Sequence, residues 1–193
     1  MTSRLAPGGI QSIIGLQPDM TTFGKYLGGG MAFGAFGGRE DIMSVYDPRV
    51  QDSLAHSGTF NNNTLAMHAG YAGLAHVYTP DVARAFSANG DAFRQRLQEV
   101  TMGTKISFTG WGTLMAMHVS ETGSKNIKCK EDVDELLQVK DLFWMEMLEE
   151  GFWTTRRGMI ALILDTPQEE LDRFVECLEA FVERHKRLVA LDG

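Results

Sequence analysis

The chain contains 193 residues, with a formal net charge of −7 and a pI near 5.2. This acidic balance argues against nucleic acid or an anionic membrane surface as a partner. Hydrophobic residues make up 44% and charged residues 22% of the sequence, which is typical of a globular chain that can build a core.

Residues 10–16 form the first apolar run, which is compatible with either a strand or a buried turn. Residues 18–38 are the most informative segment, because Lys25 lies there between short apolar stretches and a dense run of glycines. Glycine lets the backbone approach a ligand closely. A lysine deprived of water can become a neutral amine that attacks carbonyls. The combination indicates a Schiff-base lysine, for which pyridoxal phosphate is the most common aldehyde.

Two other glycine-rich chemistries do not fit this segment. A P-loop requires glycine where Asp19 stands and serine or threonine where Tyr26 follows the lysine. A dinucleotide-binding fingerprint requires glycine where Phe33 stands. The remaining alternative is a tight strand–turn–strand that carries an exposed lysine. Composition alone does not distinguish this alternative from a reactive lysine.

Four predicted elements follow before residue 103, with boundaries set by prolines and by residues that cap helices. Asn62 or Asn63 is expected to cap the second helix, which stops before Pro80. The predicted elements are a strand at residues 31–36, a short helix beginning at residues 39–41 and ended by Pro48, a helix extending to residue 77, and a helix at residues 81–100.

After residue 103, strand-like runs alternate with amphipathic helices, which predicts a compact α+β unit. Four acidic residues indicate the first turn of a helix, namely Glu131, Asp132, Asp134 and Glu135. Four methionines are predicted to fill the core, namely Met115, Met117, Met145 and Met147. The predicted elements are strands at residues 105–108, 113–119 and 159–164, a polar loop at residues 120–130, and helices at residues 133–148 and 171–182.

Few other residues suggest a site. Arg156 and Arg157 could hold a substrate carboxylate through bidentate hydrogen bonds, although a solvated strand end is the simpler interpretation. The histidines predict no metal site, because no third ligand accompanies His68 and His76.

The remaining signals concern location. Cys129 and Cys177 are far apart and lack metal-ligand spacing, which favours free thiols and a cytoplasmic protein. No apolar run approaches the roughly 18 residues of a membrane span. The N-terminal residues also lack the charged-then-apolar order of a signal peptide.

Two motifs carry a resemblance to a known family. Residues 18–40 contain Pro-Asp, then Gly-Lys, three consecutive glycines, Gly-Ala-Phe-Gly-Gly and Arg-Glu, in that order. Residues 56–63 follow the pattern His-x-Gly-Thr-x-x-x-Asn. Both motifs resemble those of class III (ω-type) aminotransferases, particularly the branch that includes glutamate-1-semialdehyde 2,1-aminomutase. The similarity covers the whole chain and is strongest over roughly its first 80 residues.

The resemblance implies an α/β protein with the fold-type I architecture of pyridoxal-phosphate-dependent transferases. The chain would match only the C-terminal portion of that architecture. Residues 1–80 would be the remainder of the large cofactor-binding domain, and residues 81–193 the small α+β domain. Lys25 would form the Schiff base and move a proton as general base and acid. Thr59, with Gly58 beside it, would bind the cofactor phosphate, in this family usually across a dimer interface.

The resemblance also implies missing parts. Family members are more than twice as long, and the family's Asp-Glu-Val segment, whose Asp pairs with the pyridine nitrogen, precedes the part that Met1 matches. The chain alone is therefore expected to be inactive, which leaves open whether it is an enzyme by itself. It could be a fragment, one half of a split enzyme, or a degenerate paralogue kept for binding.

The implied reaction is amino-group transfer between an amine or amino acid and a carbonyl acceptor. One alternative is an intramolecular aminomutase, in which the amino group returns to a neighbouring carbon. Another is a non-catalytic interaction domain. Without the first half of the large domain, apolar surface would be exposed, so a homo-oligomer or a complementary N-terminal half is the expected partner.

Overall fold

The computed structural model describes residues 2–123, 127–132 and 134–191. The chain divides into two compact units, Met1–Ala85 and Phe86–Gly193. Within the described residues, no helix is long and apolar enough to cross a membrane. The elements of the first unit are α1 (Gly9–Ile14), β1 (Met20–Gly24), β2 (Gly34–Gly38), α2 (Glu40–Met43) and α3 (Thr64–Ala72). The later elements are α4 (Pro80–Val100), β3 (Ile106–Trp111), β4 (Leu114–Val119), α5 (Leu137–Glu149), β5 (Met159–Ala161), α6 (Gln168–Arg184) and α7 (Lys186–Val189).

The first unit is built around an antiparallel pair of strands that flank the glycine-rich segment. β1 pairs with β2 in a register that runs from Met20 opposite Gly38 to Gly24 opposite Gly34. A 3-10 turn, Lys25–Gly28, begins directly after β1. The predicted strand at residues 31–36 is therefore displaced toward the C-terminus, because residues 31–33 belong to the connection between the 3-10 turn and β2.

Residues 10–16 form neither a strand nor a buried turn. Their larger part belongs to the short helix α1, and Ile13, Ile14 and Leu16 are all exposed. The run was ambiguous because a short apolar stretch fits both the helical and the strand period.

Helix α3 begins where the capping residue predicted. The side-chain Oδ1 of Asn63 accepts a hydrogen bond from the backbone N–H of Ala66 at 3.1 Å, which satisfies one of the unpaired donors at the helix start. A π-helical turn, Gly73–Val77, continues the helix. The next helix starts at Pro80, so the predicted stop is confirmed.

The second unit is an antiparallel sheet packed against helices. Its strand order is β3-β4-β5, and alternate strand residues face a shared apolar core. Helices α5 and α6 contribute their apolar stripes to the same core. This arrangement confirms the predicted α+β unit. The core residues are Phe93, Leu97, Ile106, Phe108, Met115, Met117, Val119, Val139, Phe143, Met147, Ile160, Leu162, Phe174, Val175, Leu178, Phe181 and Val189.

Several predicted details in this unit were wrong. β3 extends through Trp111, so the chain turns at residues 112–113 rather than at 110–112. β5 ends at Ala161. Three of the four methionines are buried, whereas Met145 is 55% exposed because it lies on the outer face of α5. α5 begins at Leu137, and Val133 lies outside the described residues.

The acidic residues before α5 do not form its first turn. Glu135 instead bonds to the strand beside it: its Oε1 accepts from Lys140 Nζ at 2.8 Å and lies 3.0 Å from His118 Nδ1. Its Oε2 accepts from the backbone N–H of Val119 at 3.2 Å. The Lys140 side chain is 7% exposed, so Glu135 balances a buried cation. Sequence periodicity could not reveal this cluster.

Replacing Glu135 with glutamine is expected to lower the free energy of unfolding by about 2 kcal/mol at pH 7, because a charge-assisted hydrogen bond to Lys140 is lost. Burial alone raises the pKa of Glu135, but hydrogen bonds from Lys140, His118 and Val119 outweigh burial and lower it. A lowered folded-state pKa stabilises the protein above the unfolded pKa, and this stability is lost as pH falls through the folded value.

The stability difference between wild type and E135Q should therefore shrink as the pH is lowered below about 4.5, near the ordinary glutamate value. Urea unfolding at several pH values measures this difference. The exposed Glu169, in the first turn of α6, provides the control substitution E169Q. If the stability difference between wild type and E135Q stays constant as the pH is lowered, the proposed contribution of the ionised Glu135 carboxylate is contradicted.

Candidate active site

Lys25 lies at the edge of a cavity of about 640 Å³ in the first unit. The walls come from the N-terminal turn, from α1 and from the segment that leads through β1 to the lysine. The lining residues are Thr2, Ser3, Pro7, Gly8, Gly9, Gln11, Leu16, Pro18, Met20, Thr21, Thr22, Phe23, Gly24 and Lys25. The lysine is thus the cationic member of a wall otherwise made of hydroxyl, amide, backbone and apolar groups.

The backbone of Lys25 adopts an unusual conformation. Its φ angle is +56°, in the left-handed region that non-glycine residues enter rarely and at a cost of about 1–2 kcal/mol. Such conformations persist where the surrounding structure holds them, and they cluster at functional sites. The turn Lys25–Gly28 therefore fixes the direction in which the lysine leaves β1.

The lysine is not deprived of water in this structure. Lys25 is exposed, contrary to the expectation of a desolvated amine. The described lining residues come from the N-terminal turn, α1 and the segment through β1, and they leave Lys25 exposed.

The glycines after Lys25 let the backbone approach a neighbouring group closely, as expected. That neighbour is helix α3. Gly29 has φ +59°, and a Cβ added there would lie 2.3 Å from the carbonyl oxygen of Ala69. In the same way, a Cβ added to Gly70 would lie 2.3 Å from the carbonyl oxygen of Leu27. The backbone of the turn and the backbone of α3 are thus in direct contact, and Gly28–Gly30 do not line the cavity.

Thr59 and Gly58 lie in an exposed turn before α3. The turn closes through a hydrogen bond of 3.0 Å from the Asn61 N–H to the Gly58 carbonyl. Neither residue lines the cavity beside Lys25. The predicted phosphate-binding residues and the predicted Schiff-base lysine are therefore not brought together around this cavity.

The two arginines differ in their contacts within the second unit. Arg156 donates from Nε and Nη2 to both carboxylate oxygens of Asp141, at 2.7 and 2.6 Å. Arg157 is exposed, and it donates to the weakly accepting sulfur of Met159 at 3.6 Å. The carboxylate of Asp141 on helix α5 thus already pairs with Arg156. The guanidinium of Arg157 has no carboxylate partner among the described residues.

The structure also contains site features that sequence reasoning missed. Two half-buried tyrosines, Tyr26 and Tyr78, bond to the N-terminal turn that walls the cavity. Tyr26 occupies a position that the motif around Lys25 does not specify, and Tyr78 belongs to no motif. By contrast, no group of His, Cys, Asp or Glu within the described residues could hold a metal ion.

A lysine that lines a cavity at a glycine-bordered turn is the kind of group that can attack a carbonyl compound. The family is shown by comparison: the model of the class-III aminotransferases matches residues 9–182. The chain belongs to the class-III aminotransferase family.

Several named proteins are similar to the chain over nearly its whole length. The chain is 49% identical over 191 residues to an uncharacterized aminotransferase of Schizosaccharomyces pombe, covering 99% of this chain and 43% of that protein. It is 42% identical to the beta-phenylalanine transaminase of Variovorax paradoxus, covering 98% and 43%. A glutamate-1-semialdehyde 2,1-aminomutase of Akkermansia muciniphila is 30% identical, with coverages of 94% and 42%. The chain thus spans less than half the length of these relatives.

The solved structures agree on the fold. The crystal structure of the Variovorax paradoxus beta-phenylalanine aminotransferase superimposes with a TM-score of 0.92 at 41% identity, covering 100% of this chain and 45% of that one. An omega-transaminase from Sphaerobacter thermophilus gives a TM-score of 0.81 at 26% identity, with coverages of 96% and 43%. The chain therefore has the fold of the corresponding, C-terminal part of fold-type I transferases, and this family depends on pyridoxal phosphate.

The cavity fits the aldehyde end of that cofactor. It offers the Lys25 amine for the carbonyl carbon, beside the hydroxyls of Thr2, Ser3, Thr21 and Thr22. The lining contains no carboxylate that could face a pyridine nitrogen and no arginine that could face a phosphate. Among the lining residues, Lys25 is thus the one that could hold the cofactor covalently.

Proposed function

We propose that the protein takes part in pyridoxal-phosphate-dependent amino-group transfer between an amine or amino acid and a carbonyl acceptor. The observation that carries the proposal is the placement of Lys25: the family motif puts the lysine after β1, and the structure puts it at a cavity. The same residues support an aminomutase reaction, and the 30% identity to the Akkermansia muciniphila enzyme keeps that as the second candidate.

The proposed roles follow from the chemistry of each side chain. The bound cofactor supplies an electron sink for the substrate Cα. Lys25 would hold the cofactor covalently through Nζ, and the same atom would act as general base and acid for the proton of the substrate Cα. The left-handed backbone conformation of Lys25 fixes how its side chain leaves β1, at a residue that lines the cavity. Thr59 donates its hydroxyl and backbone N–H to the cofactor phosphate, with Gly58 leaving room for it.

The architecture of the working enzyme is part of the proposal. Because Thr59 does not line the Lys25 cavity, a second copy that supplies the phosphate-binding turn is the natural arrangement, so a homodimer is proposed. Residues 1–80 act as the remainder of the large domain and residues 81–193 as the small domain. The free thiols of Cys129 and Cys177 support a cytoplasmic location.

A non-catalytic interaction domain is the alternative that does not require enzyme activity. Many large apolar side chains of the first unit are exposed, including Phe60 at 83%, Tyr71 at 70% and Leu65 at 67%. Such a surface is usually covered by a partner, a second copy or a complementary half. The cavity lining lacks an acid for the pyridine nitrogen, so we propose that the chain alone transfers amino groups negligibly.

A chimera tests the proposal. The part of the Variovorax paradoxus transaminase that this chain does not match is joined to residues 1–193, which share 42% identity with the segment they replace. We expect amino transfer from an amino acid to a 2-oxo acid. The absorbance of the cofactor and product analysis measure this transfer. A folded chimera that binds the cofactor but transfers nothing would favour the interaction domain.

Arg157, rather than Arg156, is proposed to bind the substrate carboxylate, because Asp141 already occupies Arg156. In the chimera, Arg157→Ala should raise the KM of a carboxylate-bearing donor about 10- to 100-fold, the effect of losing charge-assisted hydrogen bonds. Arg156→Ala is the matched control and should change this KM less than about threefold. An amine without a carboxylate should be unaffected by Arg157→Ala. Equal losses with both donors would contradict the assignment.

A further inference from the structure

Two tyrosines connect three separate segments of the first unit. The Tyr26 hydroxyl donates to Ser3 Oγ at 2.9 Å, and the Tyr78 hydroxyl donates to the Arg4 carbonyl at 2.6 Å. The two rings pack edge to face, with centroids 5.4 Å apart and planes at 77°. The N-terminal turn, the turn that contains Lys25 and the end of the π-helical turn after α3 are thereby joined at one point.

The joined N-terminal turn is a wall of the Lys25 cavity. Thr2 and Ser3 both line that cavity, and Ser3 is the residue that Tyr26 binds. A Cβ added to Gly9 would lie 2.9 Å from Thr2 Oγ1, so the turn is also packed against the start of α1. If the tyrosine contacts are lost, this wall keeps its packing on α1 but loses its attachment to the lysine turn.

The attachment also acts on Lys25 directly, because Tyr26 is the next residue. A side chain anchored at both its ring and its hydroxyl restrains the peptide that joins it to Lys25. That peptide belongs to the turn in which Lys25 holds its φ of +56°. A strained backbone needs such support to persist.

The phenols suit this role chemically. Burial, followed by the neighbouring Tyr26, raises the pKa of Tyr78, although Arg4 lowers it somewhat. The Tyr78 hydroxyl therefore stays protonated and able to donate throughout the neutral pH range. The Arg4 acceptor is a backbone carbonyl, so this bond does not depend on the protonation of its partner.

We propose that Tyr26 and Tyr78 are positioning residues for Lys25, joining the wall formed by the N-terminal turn to the lysine turn and so directing the amine into the cavity. The inference rests on the proposed role of Lys25 as the residue that binds the cofactor carbonyl. It adds two residues that act through Lys25 and touch neither cofactor nor substrate.

The test compares the chain with its Tyr26→Phe and Tyr78→Phe variants, which keep both rings and remove one hydroxyl each. Pyridoxal phosphate is added, the adduct is trapped with borohydride, and the labelled lysines are identified by peptide mass. We expect labelling of Lys25 to slow by about two- to tenfold in each variant, the range for loss of one hydrogen bond, while labelling of the exposed Lys186 is unchanged.

Tyr71→Phe is the matched control, because Tyr71 is 70% exposed and does not line the cavity. Hydrogen–deuterium exchange of residues 2–9 provides a second readout, and exchange should increase in the two test variants only. Ser3→Ala combined with Tyr26→Phe should slow labelling no more than Tyr26→Phe alone, because both substitutions remove the same bond.

The outcomes separate the two proposals. Faster exchange of residues 2–9 with unchanged labelling of Lys25 would overturn the positioning role, and so would unchanged exchange. If the wild-type chain labels Lys25 no faster than Lys186, the proposed cofactor role of Lys25 fails. The exchange data would then still report whether the tyrosines hold the N-terminal turn.

Discussion

Replacement of Lys25 with alanine is expected to abolish the borohydride-stable adduct that pyridoxal phosphate forms at the cavity. Nζ of Lys25 is the primary amine among the cavity-lining residues, and a carbonyl requires such an amine for covalent attachment. Trapping followed by peptide mass should therefore show a dominant adduct on Lys25 in the wild-type chain, and labelling of Lys25→Ala should fall to the level of scattered surface lysines.

Two further variants show whether the adduct depends on the amine of Lys25 or only on its positive charge and on a folded chain. Lys25→Arg keeps a cation but supplies no amine that can be trapped, so it should lose the adduct as completely as Lys25→Ala. Lys186→Ala removes an exposed lysine and should leave the adduct intact. Thermal unfolding shows whether each variant remains folded. Dominant labelling at another lysine, unchanged in Lys25→Ala, would contradict the proposed anchor.

The sequence predicted the elements that have a strong local signal. Asn63 and Pro80 bound α3 and its extension, and the regular apolar spacing of residues 171–182 located α6. Residues 10–16 were ambiguous because a run of this length fits two periods equally. The start of α5 was misplaced because the carboxylate of Glu135 bonds across to β4 instead of beginning the helix.

Of the candidate site, only the position of Lys25 beside a glycine-rich turn could be predicted from the sequence. The glycine-rich motif identified Lys25, since glycine spacing is a local property of the chain. The tyrosine contacts could not be predicted, because the Tyr26–Ser3 and Tyr78–Arg4 bonds join residues 23 and 74 positions apart. Likewise, the different contacts of Arg156 and Arg157 depend on Asp141, which lies 15 residues before Arg156 in the sequence.

Leu178→Ala is expected to cause the largest loss of stability in the second unit. Leu178 is fully buried at 0% exposure on α6, within the core that the helices share with β3 and β4. Truncating a buried leucine removes about 3–5 kcal/mol, because apolar contacts are lost and a cavity remains. Whole domains have a stability of only about 5–15 kcal/mol, so the variant should unfold at markedly lower urea concentration than wild type.

Leu137→Ala provides the matched control, because it makes the same change on a helix of the same unit at a residue that is 61% exposed. Its effect should stay below about 0.5 kcal/mol, since little apolar surface changes its contact with water. Circular dichroism during urea titration gives both values. Equal effects of the two substitutions would mean that α6 does not pack on the sheet through Leu178. The second unit would then lack the apolar core that its helices share with the sheet.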